Sequence, residues 1–321
     1  MHRTAKGLVP DPAFPEELQH LIADICGPLG AEPRINHLNP PVDSANADAE
    51  TAPRIARTVG ARVRAARPRG VVITHGTDTL AFTAARIAFE LAEVGAPVVL
   101  TGSQFPYGDP ASDAQANLAL AVRAALRAKA TAPVSIAFGG ALLPAVRATK
   151  FQTDALDAFR AERPLAPWAR GIAAAGGATV SLSPARVISF RFTPGVTADD
   201  LRAAVGGQPD GLVLECYGSG NAPTARLGMA QALREVCAQL PVVAVTQCAT
   251  GAVDFERYAV ARELVDAGAI DGGDLTLEAA LAKLGYVLDC GLRDEALRTL
   301  MEQNLVGERT EADMTGGAHR S

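Results

Sequence analysis

The stretch VVITHGTDTLAFTAARIAFELAEVGAPVVLTGSQFP, residues 71–106, carries the clearest pattern of secondary structure in the chain. Two short apolar runs flank a longer segment, 80–94, in which apolar residues recur at steps of three and four, as in an amphipathic helix. The order strand, helix, strand predicts a parallel βαβ unit. Small polar residues follow each run, at 74–79 and at 101–104. Because open parallel sheets bind ligands beyond the carboxyl ends of their strands, we expect a site at this edge.

The same alternation continues along the chain and predicts an α/β protein with parallel sheets covered by helices on both faces. The predicted strands are Val71–His75, Pro97–Thr101, Val134–Phe138, Gly211–Tyr217 and Pro241–Cys248. The predicted helices are Leu80–Val94, Ser112–Lys129, Ala225–Ala238, Ala259–Ala269, Leu275–Leu288 and Asp294–Asn304. Ser112 and Asp113 are both candidate caps for the helix that they begin.

A change of composition divides the chain. Residues 166–187 are rich in Ala, Gly, Ser and Pro, which is typical of a linker. We therefore expect a larger N-terminal parallel-sheet domain over residues 1–175 and a smaller C-terminal α/β domain over residues 190–310. The polar segment 311–321 is expected to be a disordered tail.

Composition narrows the class of protein. The 321 residues are 48% hydrophobic and carry a formal net charge of −5, without the basic character of a nucleic-acid-binding protein. No apolar run reaches the length of a membrane span, and no signal peptide is visible, so we expect no membrane partner. Five unclustered cysteines are typical of reduced thiols in a cytoplasmic protein, and their spacing predicts no metal site. No cofactor motif is complete, so no cofactor is expected.

Eight ordered segments carry a resemblance to a known family. They are HGTDTLAFTA (75–84), PVVLTGSQ (97–104), SDAQANL (112–118), RATK (147–150), YGSGNAP (217–223), TQCATG (246–251), GGDLTLEAALAKL (272–284) and QNLVGE (303–308). Together they cover nearly the whole chain, in order, and resemble the bacterial type I (cytoplasmic) L-asparaginases. The resemblance implies a two-domain asparaginase-like fold and hydrolysis of L-asparagine to L-aspartate and ammonia through a threonine-based acyl-enzyme.

The resemblance also implies a Thr–Lys–Asp triad made of Thr77, Lys150 and Asp78. A threonine hydroxyl is a weak nucleophile that needs an adjacent base, and lysine can serve where arginine, which stays protonated, cannot. Thr77 would activate or deliver the attacking group, Lys150 would accept its proton, and Asp78 would orient Lys150 and contact the substrate ammonium. Taken alone, Asp78 is interpreted as a helix cap and Lys150 as a solvated surface lysine.

Further substrate contacts are implied at three positions. Asp43 and Ser44 fall where the family binds the substrate carboxylate and amine, although Asp-Ser after Pro-Pro also suits an ordinary turn. Ser103, which follows the second strand, is expected to approach the substrate amide through its backbone or hydroxyl. His75, beside a glycine turn, is interpreted as structural.

The chain departs from the family pattern in two places. The family opens with a strand ending in Thr-Gly-Gly-Thr-Ile-Gly, whose second threonine is the primary nucleophile, and no Thr-Gly-Gly-Thr occurs in these residues. A family tyrosine that assists the nucleophile corresponds to Leu8 here. The remaining triad favours an active enzyme, and we expect the start of the protein to lie upstream of Met1.

Alternatives to the asparaginase interpretation stay open on the sequence. One is a catalytically impaired chain that binds asparagine or aspartate, and another is the glutaminase subunit of a tRNA-dependent amidotransferase. In the family, the 217–223 segment lies near a neighbouring subunit's active site. A homodimer or homotetramer is therefore expected.

Overall fold

The computed structural model describes residues 2–4, 7–9, 14–38, 41, 43–127, 132–168, 183–255 and 259–310. The expected tail 311–321 and residues 169–182 of the expected linker lie outside these ranges. The described residues form two compact units, one drawn from 1–87 and 94–160 and the other from 88–93 and 161–321. The chain thus changes unit between Arg160 and Ala161, and the domain limits expected from composition stay predictions.

The strands and helices alternate through most of the chain. The strands are β1 (His2–Thr4), β2 (Gly7–Val9), β3 (Val71–Thr74), β4 (Val98–Thr101), β5 (Val134–Phe138), β6 (Ala141–Pro144), β7 (Thr149–Lys150), β8 (Phe159–Arg160), β9 (Val187–Arg191), β10 (Gly211–Cys216), β11 (Val242–Thr246) and β12 (Ile270–Asp271). The helices are α1 (Phe14–Cys26), α2 (Thr51–Ala66), α3 (Leu80–Glu90), α4 (Ala114–Ala125), α5 (Ala198–Val205), α6 (Met229–Cys237), α7 (Ala259–Ala267), α8 (Leu277–Asp289) and α9 (Asp294–Glu302). This α/β architecture with parallel sheets confirms the predicted fold class.

The sheet of the first unit runs in the order β3-β4-β5-β6. Strands β3, β4 and β5 are parallel, and β6 closes the edge antiparallel to β5. The register pairs Thr74 with Thr101 and Thr101 with Ala137, so the three parallel strands end side by side. The polar segments after β3 and β4 therefore leave the same edge of the sheet, as the sequence predicts.

The sheet of the second unit is parallel throughout, in the order β12-β11-β10-β9. Successive residues of β10 face opposite sides, as the period of a strand requires. Leu212 and Leu214 pack with residues of α5, α6 and α7, whereas Val213 packs with residues of α8 and α9. Both faces are thus covered, which explains why the strand reads as a continuous apolar run.

Several predicted elements are shorter than their apolar patterns suggest. The helix predicted over Ala225–Ala238 begins only at Met229, because Gly228 adopts a left-handed conformation with φ of 76°. The strand predicted to end at Tyr217 ends at Cys216, because Tyr217 instead forms an isolated bridge with Asn221. Local turns override the periodic pattern in both cases.

Candidate active site

The predicted triad residues come from two segments of the first unit. Thr77 and Asp78 lie in the turn between β3 and α3, directly beyond the carboxyl end of β3. Lys150 ends the short strand β7, which pairs antiparallel with β8 so that Lys150 lies opposite Phe159. Lys150 is 73 residues from Thr77 and 72 from Asp78 in the chain, and the fold brings them together.

Lys150 contacts both partners that the sequence assigns to it. Its Nζ donates hydrogen bonds to Thr77 Oγ1 and to Asp78 Oδ1, each at 3.0 Å. The Lys150 side chain is 22% exposed, whereas that of Asp78 is 61% exposed. The amine is thus largely covered while its carboxylate partner faces solvent. A hydroxyl, an amine and a carboxylate in one hydrogen-bonded row have the geometry of an activated nucleophile, its base and an orienting group.

Ser44 lies against the same turn. A Cβ added to Gly76 would come within 2.4 Å of Ser44 Oγ, so only glycine lets the two segments approach this closely. The Ser44 carbonyl accepts a hydrogen bond of 2.8 Å from Thr79 Oγ1, and Ser44 itself is buried. The structure therefore places Ser44 beside the turn that carries Thr77 and Asp78.

Asp43 makes local contacts. Its Oδ1 accepts from the backbone of Ala45 at 3.3 Å, and its Oδ2 accepts from Asn46 Nδ2 at 2.8 Å. It thereby caps the 3₁₀ turn Ser44–Asn46. The turn interpretation accounts for these contacts, and the substrate role of Asp43 stays a prediction.

The loop that carries Ser103 packs beside the turn after β3. A Cβ on Gly102 would lie 2.4 Å from the His75 carbonyl oxygen and 3.8 Å from Thr77 Cγ2. Glycine at position 102 thus allows the ends of β3 and β4 to meet closely. Ser103 follows immediately in the chain, after the end of β4, which lies beside the end of β3.

His75 hydrogen-bonds within its own turn. The His75 Nδ1 lies 2.7 Å from the Gly76 carbonyl oxygen, and because a carbonyl only accepts, Nδ1 is the donor. Burial lowers the pKa of His75 below its ordinary value, and the hydrogen bond to Gly76, which acts in the opposite direction, offsets only part of that shift. A neutral ring that braces the turn agrees with the structural interpretation of this residue.

Sequence reasoning did not assign a role in the site to Asp113 or Asn117. Asp113 was expected only as a possible helix cap, and although it occupies the N-cap position of α4 its side chain makes no capping bond. It accepts instead from the backbone of Gln104 and Phe105, in the loop after β4. The motif SDAQANL marks these residues in the sequence, but only the fold shows which backbone they bind.

Two features are absent from the described ranges. Among these residues, no group of three or more His, Cys, Asp or Glu side chains has the arrangement of a metal site. In the same part of the chain, no helix combines the length and the apolar character needed to cross a membrane.

Comparison with known proteins identifies a family over both units. The family model described as "Asparaginase, N-terminal" matches residues 9–175, and that described as "Glutaminase/Asparaginase C-terminal domain" matches residues 186–301. L-asparaginase 1 of Escherichia coli is 33% identical over 98% of this chain and 95% of its own length.

A solved structure and a more distant relative extend the comparison. The thermostable L-asparaginase from Thermococcus kodakarensis superposes with a TM-score of 0.78 at 31% identity, covering 97% of this chain and 96% of that one. A glutamyl-tRNA(Gln) amidotransferase component from Aeropyrum pernix is 34% identical over 78% of this chain and 64% of its own length. The chain resembles the two asparaginases over nearly their full lengths and the amidotransferase component over only part.

Proposed function

The chain belongs to the asparaginase family, and from that premise we propose that it hydrolyses the side-chain amide of L-asparagine to L-aspartate and ammonia. The observation that carries the proposal is the contact of Lys150 Nζ with both Thr77 Oγ1 and Asp78 Oδ1. This row supplies the parts that amide hydrolysis without a metal requires: a hydroxyl, a base within reach of its proton, and a carboxylate that holds the base.

The proposed reaction passes through a threonine ester. As the hydroxyl oxygen attacks the side-chain amide carbon, its proton passes to Lys150, which acts as the base. The carbon–nitrogen bond then breaks, and the departing nitrogen takes up the proton held by Lys150 to leave as ammonia. Water hydrolyses the resulting ester and releases aspartate, which restores the hydroxyl. Asp78 orients Lys150, and its exposed carboxylate is available to the α-ammonium of the substrate.

An experiment is needed to establish which threonine carries the acyl group. In the type I pattern it is the second threonine of Thr-Gly-Gly-Thr, a motif absent from these 321 residues, whereas Thr77 is the hydroxyl that Lys150 contacts here. Acid quenching of the protein during turnover, followed by peptide mass spectrometry, locates the ester. The intact mass of the protein from its native source should be measured at the same time and compared with the 33.2 kDa of these 321 residues.

The remaining substrate contacts are assigned to Asp43, Ser44 and Ser103. The close approach of Ser44 to Gly76 supports placing Ser44 next to the substrate carboxylate and amine, and that of Gly102 to His75 supports placing Ser103 next to the amide. Asp43 is assigned by its place beside Ser44. A cytoplasmic location and assembly as a homodimer or homotetramer belong to the same type I pattern and form part of the proposal.

The direct test is to incubate the protein with L-asparagine and measure ammonia and aspartate together. The proposal requires the two products to appear in equal amounts. Release from L-glutamine alone would instead favour the amidotransferase glutaminase subunit, for which the similarity to the Aeropyrum pernix protein is the supporting observation. No release, combined with a higher unfolding temperature in aspartate, would favour a catalytically impaired binding protein.

A further inference from the structure

We infer that Asp113 and Asn117 are positioning residues for the reaction: they fix the backbone of residues 102–105 and thereby set Ser103 against the substrate amide. The inference rests on the proposed function and adds to it two residues that, within the described ranges, make no hydrogen bond to Thr77, Asp78 or Lys150. It is carried by a network of hydrogen bonds between one buried carboxylate, one buried amide and the loop after β4.

Asp113 binds two consecutive backbone N–H groups of that loop. Its Oδ1 accepts from Gln104 at 2.8 Å and from Phe105 at 3.1 Å, while its Oδ2 lies 3.1 Å from the Gln104 nitrogen. Asp113 is buried, so these are hydrogen bonds to a carboxylate largely shielded from water. Hydrogen bonds to a carboxylate are about twice as strong as those between neutral groups. Asp113 therefore stabilises this conformation of the loop.

Asn117 ties the same loop to the neighbouring strand. Its Nδ2 donates to Asp113 Oδ2 at 2.8 Å and to the Gly102 carbonyl at 3.0 Å, and its Oδ1 accepts from Gly139 N at 3.0 Å. The Asn117 side chain is buried, and all three of its hydrogen-bonding partners are groups of the protein itself. One amide thus joins the ends of β4 and β5 and orients the carboxylate that holds the loop.

Gln104 extends the network towards the base. Its Nε2 donates to the Thr153 carbonyl at 2.6 Å, three residues beyond Lys150. The backbone of Gln104 is held by Asp113 and its side chain by the segment that follows Lys150. The network therefore links the position of the loop to the segment that follows the strand carrying Lys150.

Ser103 is the residue that this arrangement leaves available. Gly102 is engaged through its carbonyl, and Gln104 and Phe105 through their N–H groups. Within the part of the chain that the structure describes, no hydrogen bond occupies the backbone or the hydroxyl of Ser103. Because a misplacement of about 1 Å costs up to about 100-fold in rate, a device that fixes this backbone bears directly on catalysis.

Asn304 provides a matched control in the second unit. It too is buried, its Oδ1 accepts from Gly307 N at 2.8 Å, and its Nδ2 donates to the Pro167 carbonyl. Asn117→Ala and Asn304→Ala each remove one buried amide that joins two backbone groups, so both should lower the unfolding midpoint. Only Asn117→Ala should also lower kcat.

The experiment measures kcat and KM for L-asparagine, with thermal unfolding, in wild type, Asn117→Ala, Asn304→Ala and the milder Asp113→Asn. We expect kcat to fall about 10–100-fold in Asn117→Ala and Asp113→Asn while KM changes less than about threefold, and to stay within about twofold in Asn304→Ala. Asp113→Asn supplies the answer if Asn117→Ala does not fold.

Two results would overturn the inference and leave the proposed function intact. One is a kcat within about threefold of wild type in Asp113→Asn and in any folded Asn117→Ala. The other is an equal loss of kcat in Asn304→Ala. If wild type itself releases no ammonia from asparagine, the proposed function fails first and the inference fails with it.

Discussion

At the scale of single residues, the Thr77 hydroxyl is the group on which the proposed chemistry depends. Replacing Thr77 by Ala removes the oxygen that Lys150 contacts at 3.0 Å. We expect kcat for asparagine to fall by about 10³-fold or more, because removing one member of a unit that activates a nucleophile disables the others. A steady-state ammonia assay measures the loss.

Thr58→Ala is the matched control for this substitution. Thr58 Oγ1 donates to the Arg54 carbonyl within α2 at 2.9 Å. Thr58→Ala therefore also removes a threonine hydroxyl, but one outside the triad. Its kcat should stay within about twofold of wild type. A Thr77→Ala protein that kept more than about a tenth of wild-type kcat would remove Thr77 from the mechanism.

His75 gives the protein a specific dependence of stability on pH. Its pKa is lowered in the folded state, mainly by burial, so at mildly acidic pH the unfolded chain binds a proton that the folded chain does not. The stability that the neutral His75 ring contributes is fully present above the unfolded pKa, about 6.5, and is lost as the pH falls from that value through the lower folded pKa.

Urea unfolding at about pH 7.5 and about pH 5.5, on either side of the unfolded pKa, tests this in wild type and His75→Gln, since glutamine keeps a donor but does not titrate. We expect the unfolding free energy of wild type to fall more between the two pH values than that of the variant. The difference is bounded by one proton, about 1.4 kcal/mol per pH unit. If the unfolding free energy changed equally with pH in the two proteins, His75 would have the same pKa in the folded and unfolded states.

At the scale of secondary-structure elements, the close approach of β3 and β4 at their carboxyl ends depends on Gly102. A Cβ there would lie 2.4 Å from the His75 backbone oxygen, which cannot move without moving β3. Gly102→Ala should cost about 1–3 kcal/mol of unfolding free energy, as overpacking does, and should lower kcat. Chemical denaturation and the ammonia assay measure the two effects.

Gly27→Ala serves as the control for the Gly102 substitution. A Cβ on Gly27 meets nothing within 4 Å, so stability and kcat should both stay near wild type. If Gly102→Ala were as stable and as active as Gly27→Ala, the ends of β3 and β4 would have room for an added methyl group, contrary to the 2.4 Å approach.

The C-terminal segment is held to α8 by a buried ion pair. Lys283 Nζ lies 2.7 Å from Glu308 Oε1, and neither side chain is exposed. Burial raises the pKa of Glu308, but the charge of Lys283 and the N–H groups of Leu305 and Val306 outweigh it, so the pKa falls below its ordinary value. This stabilisation is therefore present above the unfolded carboxyl pKa, near 4.5, and is lost as the pH falls through the lower folded value.

Glu308→Gln should destabilise the protein by about 3–5 kcal/mol, because it leaves the buried Lys283 charge without its carboxylate. Glu302→Gln, which breaks the more exposed pair with Arg298 at 3.4 Å, should cost less than about 1 kcal/mol. Urea unfolding of both variants at neutral pH makes the comparison. Equal losses would contradict the account of the buried pair.

The limits of prediction at this scale have identifiable causes. Strand β5 has the predicted bounds, Val134–Phe138, because five successive buried residues leave no other assignment. Helix α2 was not predicted, although Ile55, Val59 and Val63 recur at steps of four, because Pro53 and Gly60 inside it weaken the helical pattern. Local patterns thus identify elements where packing and propensity agree.

At the scale of the whole molecule, the pairing of Thr77 and Asp78 with Lys150 was predicted, and the network around Asp113 was not. The triad was predicted from the eight ordered segments that carry the resemblance, and the family models that match residues 9–175 and 186–301 confirm membership of the asparaginase family. Asp113 bonds to residues eight and nine positions earlier, because the loop after β4 folds back over the start of α4. Nothing in the local sequence distinguishes such a contact from an ordinary helix cap.

Ammonia release from L-asparagine by wild type and by Lys150→Met decides whether Lys150 is the base of the reaction. Wild type should release ammonia and aspartate in equal amounts, and Lys150→Met should fold but lose kcat by about 10³-fold or more, because methionine fills the space without accepting a proton. Turnover by Lys150→Met at a rate near that of wild type would contradict the assignment of Lys150 as the base and the proposed mechanism with it.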